Sequence, residues 1–580
     1  MILKTASRFR CVTHGWLSYA AFPSINGTPA CANGLLQNSL ARDTYGFDGF
    51  ITTDCGALPF TNQDHYDTST PAEAVAKAIK NGLDAECGEG GPQGPSSYIN
   101  WGTIHESLEK GLMNETDLDQ AAIRIWRTAF KMGLFEPENP WSDLGWETLD
   151  SEANQEASFQ AAAQSLTLLQ NKESLLPLNL ESIKTLAVMG PYTWSTQNIK
   201  GDYTGPNIRV ELNSVGIRLE QRAAASPSTK LIYPAGTSNM NGPDSMCNWA
   251  CVAPYLCACG RKANHSAYLA DAVQTANRAD VVLLTIGDTH VGEFGDRTDN
   301  SLEAPQQELL EAVCATGKPT VVVVIAGYSI DLAFAKENCT AILFAFLPSQ
   351  SGGAAIVDTL LGLQAPAGRL PVTFYSRDIL TERPDPLDVS LRGGSGITYL
   401  HYKGTPLWEF GFGLSYSSFK FEWSGDKMME QRRQQVTAAD VATGAVALEY
   451  TVKVTNTGSV ASAVSVLAFL NTTLEEGQRA AVPTPPLRQL FNFTKVHLQP
   501  GSFTIVTLGM EKELLALTSW SGERAVRPGQ YTVAVGGVGR AGKVEDGAVA
   551  TSLEVAGDEP AVLFSMVDVR AAAAAREYVG

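Results

Sequence analysis

Hydrophobic and polar positions follow three different patterns along the chain. In the first, over about residues 15–150, short apolar runs alternate with amphipathic stretches: 49–53 predicts a strand, and 71–81 and 116–133 place apolar side chains at helical spacing. The second pattern consists of unbroken apolar runs separated by helix-length segments. The third begins near residue 440, where apolar and polar residues alternate with the two-residue period of half-exposed strands.

These patterns predict a multidomain α/β protein. The apolar runs at 185–189, 281–286, 321–325 and 341–346 lack alternation, as expected for strands of a mainly parallel sheet with helices on both faces. The alternating C-terminal strands, framed by Pro-Gly and Asn-Thr-Gly turn signals, predict a β-sandwich. We therefore predict domains at 1–150, 151–390 and 440–560, with 391–439 as a linker and 561–580 as a helical or loose tail.

Amino-acid composition and net charge limit the kinds of partner that this protein can bind. Hydrophobic residues make up 44% of the 580 residues, so the chain can bury several cores. Its formal charge of −18 repels phosphate backbones and anionic lipid surfaces. No apolar run reaches the length of about 18 residues that a membrane span needs. We expect neither a nucleic-acid partner nor a membrane partner; the oligomeric state is not specified by these features.

Other features predict export. The chain has N-x-S/T sequons at Asn26, Asn114, Asn264, Asn338, Asn471 and Asn492. A cysteine cluster with the spacing C-x3-C-x5-C-x-C, formed by Cys247, Cys251, Cys257 and Cys259, favours disulfides over a zinc site, which prefers paired C-x2-C knuckles. The first residues lack the apolar core of a secretory signal. We expect a secreted glycoprotein whose natural N-terminus differs from the one written.

One acidic residue follows a predicted strand directly. The segment GFDGFITTDCGALP predicts a strand that ends at Thr53, with Asp54 on the small-residue turn that follows. Barrel enzymes hold their reactive groups at the carboxyl ends of strands, so Asp54 is a candidate nucleophile. The alternative is that its carboxylate caps the next helix or hydrogen-bonds within the turn.

A second acidic candidate follows the strand at 281–286. In IGDTHVGEFGDR, Glu293 lies between a glycine and a phenylalanine on a predicted loop. A carboxylic acid beside an aromatic ring keeps a raised pKa and can donate a proton. Two alternatives are a solvated acidic loop and a metal site formed by Asp288, His290 and Glu293, which no helical or knuckle spacing supports.

Longer stretches resemble glycoside hydrolase family 3. GFDGFITTDCGA, with INGTPACANGLL before it and KAIKNGLDAECG after it, is similar to the family's segment around the nucleophile, and its Asp-Cys dipeptide resembles the β-xylosidase branch. SLTLLQNKESLLPL, PAGRLP and FGFGLSYSSF follow in the family's order. The resemblance implies a partial (β/α)8 barrel, an α/β sandwich with a mainly parallel sheet, and a C-terminal fibronectin type III-like β-sandwich.

The resemblance also implies an activity. It is that of a retaining exo-glycoside hydrolase which releases xylose from the non-reducing end of β-1,4-xylo-oligosaccharides, with β-glucosidase or arabinofuranosidase specificity as open variants. By position, Asp54 matches the nucleophile, Glu293 the acid/base and Tyr19 a substrate-binding tyrosine near the nucleophile. Asp54 would attack the anomeric carbon while Glu293 protonates the leaving oxygen and later activates water. This chemistry needs no metal or organic cofactor.

The chain departs from the family's pattern in the Glu293 loop and in its N-terminal part. The Glu293 loop has one glutamate where the family's xylosidases commonly have two, and Ala20 replaces a usual asparagine. The segment that supplies most of the family's barrel, including an adjacent Lys-His pair, has no match. We expect this chain alone to be weakly active or inactive, and residues before about 150 to be less resistant to heat and proteolysis than the rest. The alternative is a non-catalytic secreted fragment or carbohydrate-associated protein.

Overall fold

The computed structural model divides the chain into two compact units. The first contains the residues up to Leu144 together with Thr518–Arg524 and the segment from Val562, and the second contains Gly145–Leu517 and Ala525–Ala561. The structure describes residues 17–20, 22–88, 97–139, 141–196, 199–201, 204, 214–226, 228–234, 265–288, 297, 299–385, 388, 390–424, 433–474, 476–536 and 548–565.

The first unit contains a small parallel sheet. Its strands are β1 (Leu17–Ala20) and β4 (Phe50–Thr53), which pair in parallel, and Ala85 extends the sheet through a parallel bridge to Thr52. A short hairpin of β2 (Ser24–Ile25) and β3 (Thr28–Pro29) lies between them in sequence. The sequence prediction of a strand at 49–53 is confirmed.

Helices of the first unit follow from local capping signals. The helix Pro71–Lys80 begins with a capping box, in which the Thr70 hydroxyl accepts from the Glu73 N–H and the Glu73 carboxylate accepts from the Thr70 N–H. Asn114 caps the helix Glu115–Lys131 in the same way. The other helical segments are Ala30–Ala32, the π-helical Leu35–Thr44, Phe60–Gln63 and Trp101–Glu109.

A six-stranded sheet forms the centre of the second unit. Its strands are β5 (Thr167–Asn171), β6 (Thr185–Met189), β7 (Lys230–Ile232), β8 (Val281–Gly287), β9 (Thr320–Ile325) and β10 (Ala341–Phe344). The strand order is β5-β10-β9-β8-β6-β7, and every neighbouring pair is parallel except β5 with β10. The predicted mainly parallel sheet is confirmed.

Burial on both faces explains why these strands lack alternation. In β8, Leu283 belongs to one apolar cluster while Val282 and Leu284 belong to another, and each cluster includes residues of helices. The helical segments of this part are Trp146–Thr148, Glu152–Ser165, Lys172–Ser174, Val215–Ala224, His265–Asn277, Ala304–Cys314, Ala333–Asn338, Ser349–Ser351, Gly352–Leu360, Ile379–Glu382 and Thr398–His401.

Two further sheets form the predicted β-sandwich. One has the order β11-β13-β16, with β11 at Phe419–Trp423, β13 at Leu448–Asn456 and β16 at Phe503–Met510. The other has the order β12-β20-β19-β14-β15, with the strands at Arg433–Thr437, Val549–Ala556, Gly529–Val535, Ser462–Leu474 and Gln489–Leu498. Every second residue of β13 is buried, which matches the period-two pattern of its sequence.

The sandwich includes residues that the sequence assigns to a linker. Strands β11 and β12 both lie inside 391–439, where β11 pairs with β13 and β12 pairs with β20. Long-range pairing of backbone edges decides this, because neither short strand has a distinctive local signal. The predicted tail at 561–580 begins as β21, Ala561–Ser565, and its remainder lies outside the described residues. The other domain boundaries stay a prediction.

The remaining elements of the chain are short. They are β17 (Ala516–Thr518), β18 (Glu523–Val526), and the helical segments Ala438–Thr443, Glu476–Arg479 and Lys512–Leu514. Among the described residues, no helix is both long enough and apolar enough to cross a bilayer. The cluster of Cys247, Cys251, Cys257 and Cys259 lies outside the described residues, whereas disulfides join Cys55 to Cys87 and Cys314 to Cys339.

A buried histidine predicts that the stability of the second unit depends on pH. Burial, together with the charges of Arg392 and Lys403, lowers the pKa of His401 from 6.5 to about 4. The unfolded chain therefore binds a proton first as the pH falls, and the second unit should lose roughly 2–3 kcal/mol of unfolding free energy between pH 6.5 and 4. Denaturant unfolding across this range measures the loss.

The variant His401→Gln provides the control, since glutamine cannot gain a charge. The difference in unfolding free energy between wild type and variant should shrink as the pH falls from 6.5 to 4, and it should stay constant above 6.5. Two curves that run parallel over the whole range would show that His401 does not carry the pH dependence.

Candidate active site

Asp54 occupies the position that the sequence predicts, at the carboxyl end of β4. Its side chain is exposed, and Oδ1 accepts a hydrogen bond of 2.7 Å from the N–H of Cys55. The next helix begins at Phe60 with Pro59 as its N-cap, so Asp54 does not cap it. The carboxylate bonds within the turn, as one alternative expected, and it also remains accessible to a ligand.

A covalent and hydrogen-bonded brace holds the turn that carries Asp54. The disulfide Cys55–Cys87 joins the turn to the segment that follows Ala85. The N–H of Gly56 donates to the Cys87 carbonyl at 2.9 Å, and the N–H of Cys87 donates to the Thr53 hydroxyl at 3.1 Å. Gly56 has a φ of +79°, a left-handed conformation that glycine adopts without steric cost. The brace fixes the direction in which Asp54 leaves the strand.

A buried carboxylate anchors the same strand from its other end. Asp84 accepts from Arg42 at 2.6 Å and from the N–H of Ile51 at 2.8 Å through Oδ2, and from Arg124 at 2.8 Å through Oδ1. Its side chain is fully buried. Arg42 also donates to the carbonyl of Gly49 at 2.8 Å. These bonds tie β4 to the π-helical segment and to the helix Glu115–Lys131.

Cys31 and Glu86 are two further groups of the first unit that bear on the electrostatics around Asp54. Burial, then the charges of Glu86 and Asp54, raise the pKa of the Cys31 thiol to about 12, so this thiol stays neutral. Glu86 accepts through Oε2 from the N–H of Ile99 at 2.6 Å. Its buried Oε1 has no hydrogen-bond partner among the described residues. The turn of Asp54 therefore lies in an acidic environment.

The structure locates the other predicted site residues only in part. Tyr19 is in β1, where it pairs with Thr52 of β4, two residues before Asp54. Glu293 and His290 lie outside the described residues, so the convergence of Asp54 and Glu293 stays a prediction. Asp288 is described and forms an ion pair with Arg297. In the described part of the chain, no three His, Cys, Asp or Glu residues are grouped so that they could hold a metal ion.

Sequence reasoning missed the residues that support Asp54. Cys87 and Asp84 both lie in the KAIKNGLDAECG segment, which indicates the family resemblance but no individual role for either residue. The adjacency of Asp54 and Cys55 offers a signal for a structural disulfide, but ten cysteines leave its partner open. No local pattern marks Asp84 as the partner of two arginines 42 and 40 positions away.

Comparison with known families assigns the chain. The glycosyl hydrolase family 3 N-terminal domain matches residues 16–128, and the C-terminal domain of the same family matches 166–416. The chain belongs to glycosyl hydrolase family 3. A fibronectin type III-like domain matches 473–538, within the β-sandwich. The family 3 assignment confirms the resemblance inferred from the motifs.

Relatives of this family 3 chain include fungal proteins. It is 32% identical over 533 residues to a protein named probable exo-1,4-beta-xylosidase bxlB from Aspergillus fumigatus, with 89% of this chain and 63% of the relative covered. Exo-1,4-beta-xylosidase xlnD from Aspergillus oryzae is 29% identical over 538 residues, with 89% and 62% covered. The chain thus spans less than two thirds of the length of these relatives.

Solved structures confirm the predicted fold class. A family 3 exo-β-xylosidase (XlnD) in complex with a xylobiose aziridine activity-based probe is 27% identical, with a TM-score of 0.77, and the match covers 95% of this chain and 67% of that one. A β-glucosidase from Erythrobacter marinus is 26% identical, with a TM-score of 0.71 and coverage of 91% and 66%.

Proposed function

We propose that this family 3 chain is the catalytic part of a retaining exo-β-xylosidase that acts on β-1,4-xylo-oligosaccharides. Asp54 is the nucleophile, Glu293 is the acid/base, and Tyr19 contributes to binding the sugar. The observation that carries the proposal is the exposed carboxylate of Asp54 at the carboxyl end of a parallel strand. The Cys55–Cys87 disulfide and the Asp84 ion pairs support it because they fix this carboxylate in place.

The reaction takes two steps, and the product keeps the anomeric configuration of the substrate. In the first, Asp54 forms an ester bond with the anomeric carbon while the glycosidic C–O bond breaks and Glu293 gives its proton to the leaving oxygen. In the second, Glu293 takes a proton from water, whose oxygen displaces Asp54. Two inversions give net retention. The mechanism requires carboxyl groups about 5–5.5 Å apart.

The substrate class is proposed from the names of the relatives. Two of them are named exo-1,4-beta-xylosidases, and a structural relative is bound to a xylobiose-derived probe. Another structural relative is named a β-glucosidase, so glucosides belong in the substrate panel, together with arabinofuranosides. We expect an aryl β-xyloside to give the highest kcat/KM of the three aryl glycosides.

The direct test is covalent labelling with a xylobiose-derived aziridine. The nucleophilic carboxylate opens the aziridine ring. Its oxygen forms a bond to C1 while the C1–N bond breaks, and the nitrogen takes a proton. Peptide mapping by mass spectrometry should find the added mass on Asp54. The rate of aryl xyloside hydrolysis should fall in proportion to the fraction of the protein that is labelled. Labelling of another carboxylate, with Asp54 unmodified, would overturn the assignment.

A non-catalytic role is the second candidate, and one observation favours it. The helix Glu115–Lys131 exposes 55% of Trp126 and 62% of Phe130, and both rings contact Phe135 at centroid distances of 5.7 and 4.5 Å. An exposed aromatic face suits a carbohydrate-associated surface as well as it suits packing. A folded chain that is neither labelled by the aziridine nor active on aryl xylosides, but that binds xylo-oligosaccharides, would support this candidate.

Secretion and glycosylation are part of the proposal. Asn26 and Asn114 are exposed sequon asparagines, and two disulfides are typical of an oxidising compartment. Expression through a eukaryotic secretory route should attach glycans at both positions. Glycopeptide analysis checks this, and unmodified Asn26 and Asn114 in the secreted protein would contradict it.

A further inference from the structure

The two disulfides in the described part of the chain differ in how far solvent reaches them. In the first unit, Cys55 is exposed and its partner Cys87 is half-buried. In the second unit, only 5% of Cys314 and 2% of Cys339 are exposed. A thiol reductant must contact a disulfide sulfur before it can cleave the bond, so it should reduce Cys55–Cys87 first.

The carboxylate of Asp54 is oriented from within its own turn. Among the described residues, its one hydrogen bond comes from the N–H of Cys55, at 2.7 Å. The disulfide joins Cys55 to Cys87, and the N–H of Gly56 donates to the Cys87 carbonyl at 2.9 Å. The group that orients the carboxylate is therefore itself held by a covalent bond to the neighbouring segment. If that bond is cleaved, hydrogen bonds alone connect the turn to this segment.

The buried thiol of the first unit does not compete for this disulfide. Burial, with the charges of Glu86 and Asp54, raises the pKa of Cys31 to about 12. A thiolate rather than a thiol attacks a disulfide, so the Cys31 thiol exchanges slowly with Cys55–Cys87 near neutral pH. The state of this disulfide therefore depends on an external reductant rather than on Cys31.

We propose that the Cys55–Cys87 disulfide is a positioning group for Asp54, and that its reduction reversibly switches off the attack of this carboxylate on the sugar. This inference rests on the proposed function. A dithiol such as dithiothreitol breaks the S–S bond in two exchanges. Its first sulfur forms a mixed disulfide and releases one cysteine thiolate, and its second sulfur closes a cyclic disulfide and releases the other. Two electrons pass to the cysteines, and each thiolate then takes a proton.

A positioning role has a signature in the kinetics of labelling by the xylobiose-derived aziridine. Displacement of a reacting group by about 1 Å lowers a rate on the order of 100-fold. Reduction should therefore lower the first-order rate constant of ring opening about 100-fold, while the dissociation constant of the probe changes less than about threefold. A merely structural role would instead lower the fraction of molecules that bind the probe and leave the rate constant unchanged.

The experiment titrates the folded chain with dithiothreitol and follows each cysteine by differential alkylation and peptide mapping. Cys55 and Cys87 should be reduced at a concentration at least about tenfold below that needed for Cys314 and Cys339. At that concentration, hydrogen exchange at the amides of Gly56 and Cys87 should be at least about tenfold faster, because both amides bond across the released joint. Exchange at the Cys339 amide should be unchanged. Reoxidation with oxidised glutathione should restore the labelling rate.

The double variant Cys55→Ser with Cys87→Ser reproduces the reduced state without a reductant. It should be labelled about 100-fold more slowly than wild type, and dithiothreitol should not slow it further. The matched control is Cys314→Ala with Cys339→Ala, which lacks the buried disulfide of the other unit. This control should keep both the wild-type labelling rate and its sensitivity to dithiothreitol. If either double variant fails to fold, reversible reduction of the wild type gives the same comparison.

The proposed function and this inference can fail separately. Equal rate constants of labelling before and after reduction of Cys55 and Cys87 would overturn the positioning role. Reduction of Cys314 and Cys339 at the same concentration would overturn the selective switch. If the oxidised wild type is not labelled on Asp54, the proposed function fails, and hydrogen exchange at Gly56 then decides whether the disulfide holds the turn.

Discussion

Replacement of Asp54 by asparagine is expected to abolish aryl xyloside hydrolysis, however weak the wild-type rate, because removal of a covalent nucleophile lowers a rate by about 10⁴-fold or more. The folded structure should persist, because Asp54 is exposed and an asparagine Oδ1 can accept the same hydrogen bond from Cys55. Initial rates and circular dichroism measure the two effects. The matched control is Asp64→Asn, an exposed aspartate ten positions further on, which should keep the wild-type rate.

Azide rescue assigns the two carboxylates separately. In Asp54→Ala, azide should enter from the face that the nucleophile occupied and give the α-configured xylosyl azide. In Glu293→Ala, azide should attack the glycosyl-enzyme from the opposite face and give the β-configured product, since retention requires two inversions. A β-configured product from Asp54→Ala would contradict the assignment of Asp54 as nucleophile.

Replacement of Asp84 by asparagine is expected to destabilise the first unit by about 3–5 kcal/mol, because it leaves two buried or partly buried arginines without their shared counter-ion. Arg42 and Arg124 expose only 11% and 21% of their side chains. The N–H of Ile51 also loses its charged acceptor. Since the chain has two units, local hydrogen exchange in β4 under increasing urea measures the loss better than one global transition does.

An exposed ion pair of the same unit provides the control. Asp48 pairs with Lys131 at 2.5 Å, but 57% of the Asp48 side chain is exposed. Asp48→Asn should therefore change the unfolding free energy by less than about 1 kcal/mol. Equal effects of the two variants on exchange in β4 would show that burial does not give Asp84 its role.

Elements whose signals are local could be predicted well from the sequence. The helix Pro71–Lys80 starts with a capping box formed within four residues, and β8 is an apolar run without alternation, with Thr285 as its one polar residue. The capping box is an interaction between neighbouring residues, and the apolar run reflects burial along the whole strand. Both can therefore be read from a short stretch of sequence. The strand Phe419–Trp423 lies within the predicted linker, and it forms by pairing with the distant strand Leu448–Asn456, which local sequence does not indicate.

In the candidate site, too, residues with a local signal could be predicted and their distant partners could not. Asp54 could be identified because it directly follows a strand in a recognisable motif. The disulfide partner of Cys55 could not, since ten cysteines allow many pairings. In the sequence, Asp288 and Arg297 are only two charged residues on either side of Glu293, and their ion pair is evident only in the structure.

By itself, the amino-acid sequence determined the kinds and order of the elements with strong local signals and placed Asp54 at the end of a strand, because periodicity and turn chemistry act over a few neighbouring residues. Only the tertiary structure decided which charges are buried and with what partners. Asp84 becomes an anchor when Arg42 and Arg124 converge on it from different helical segments. Such ion pairs depend on how segments that are distant in sequence pack together, and this packing cannot be read from local sequence.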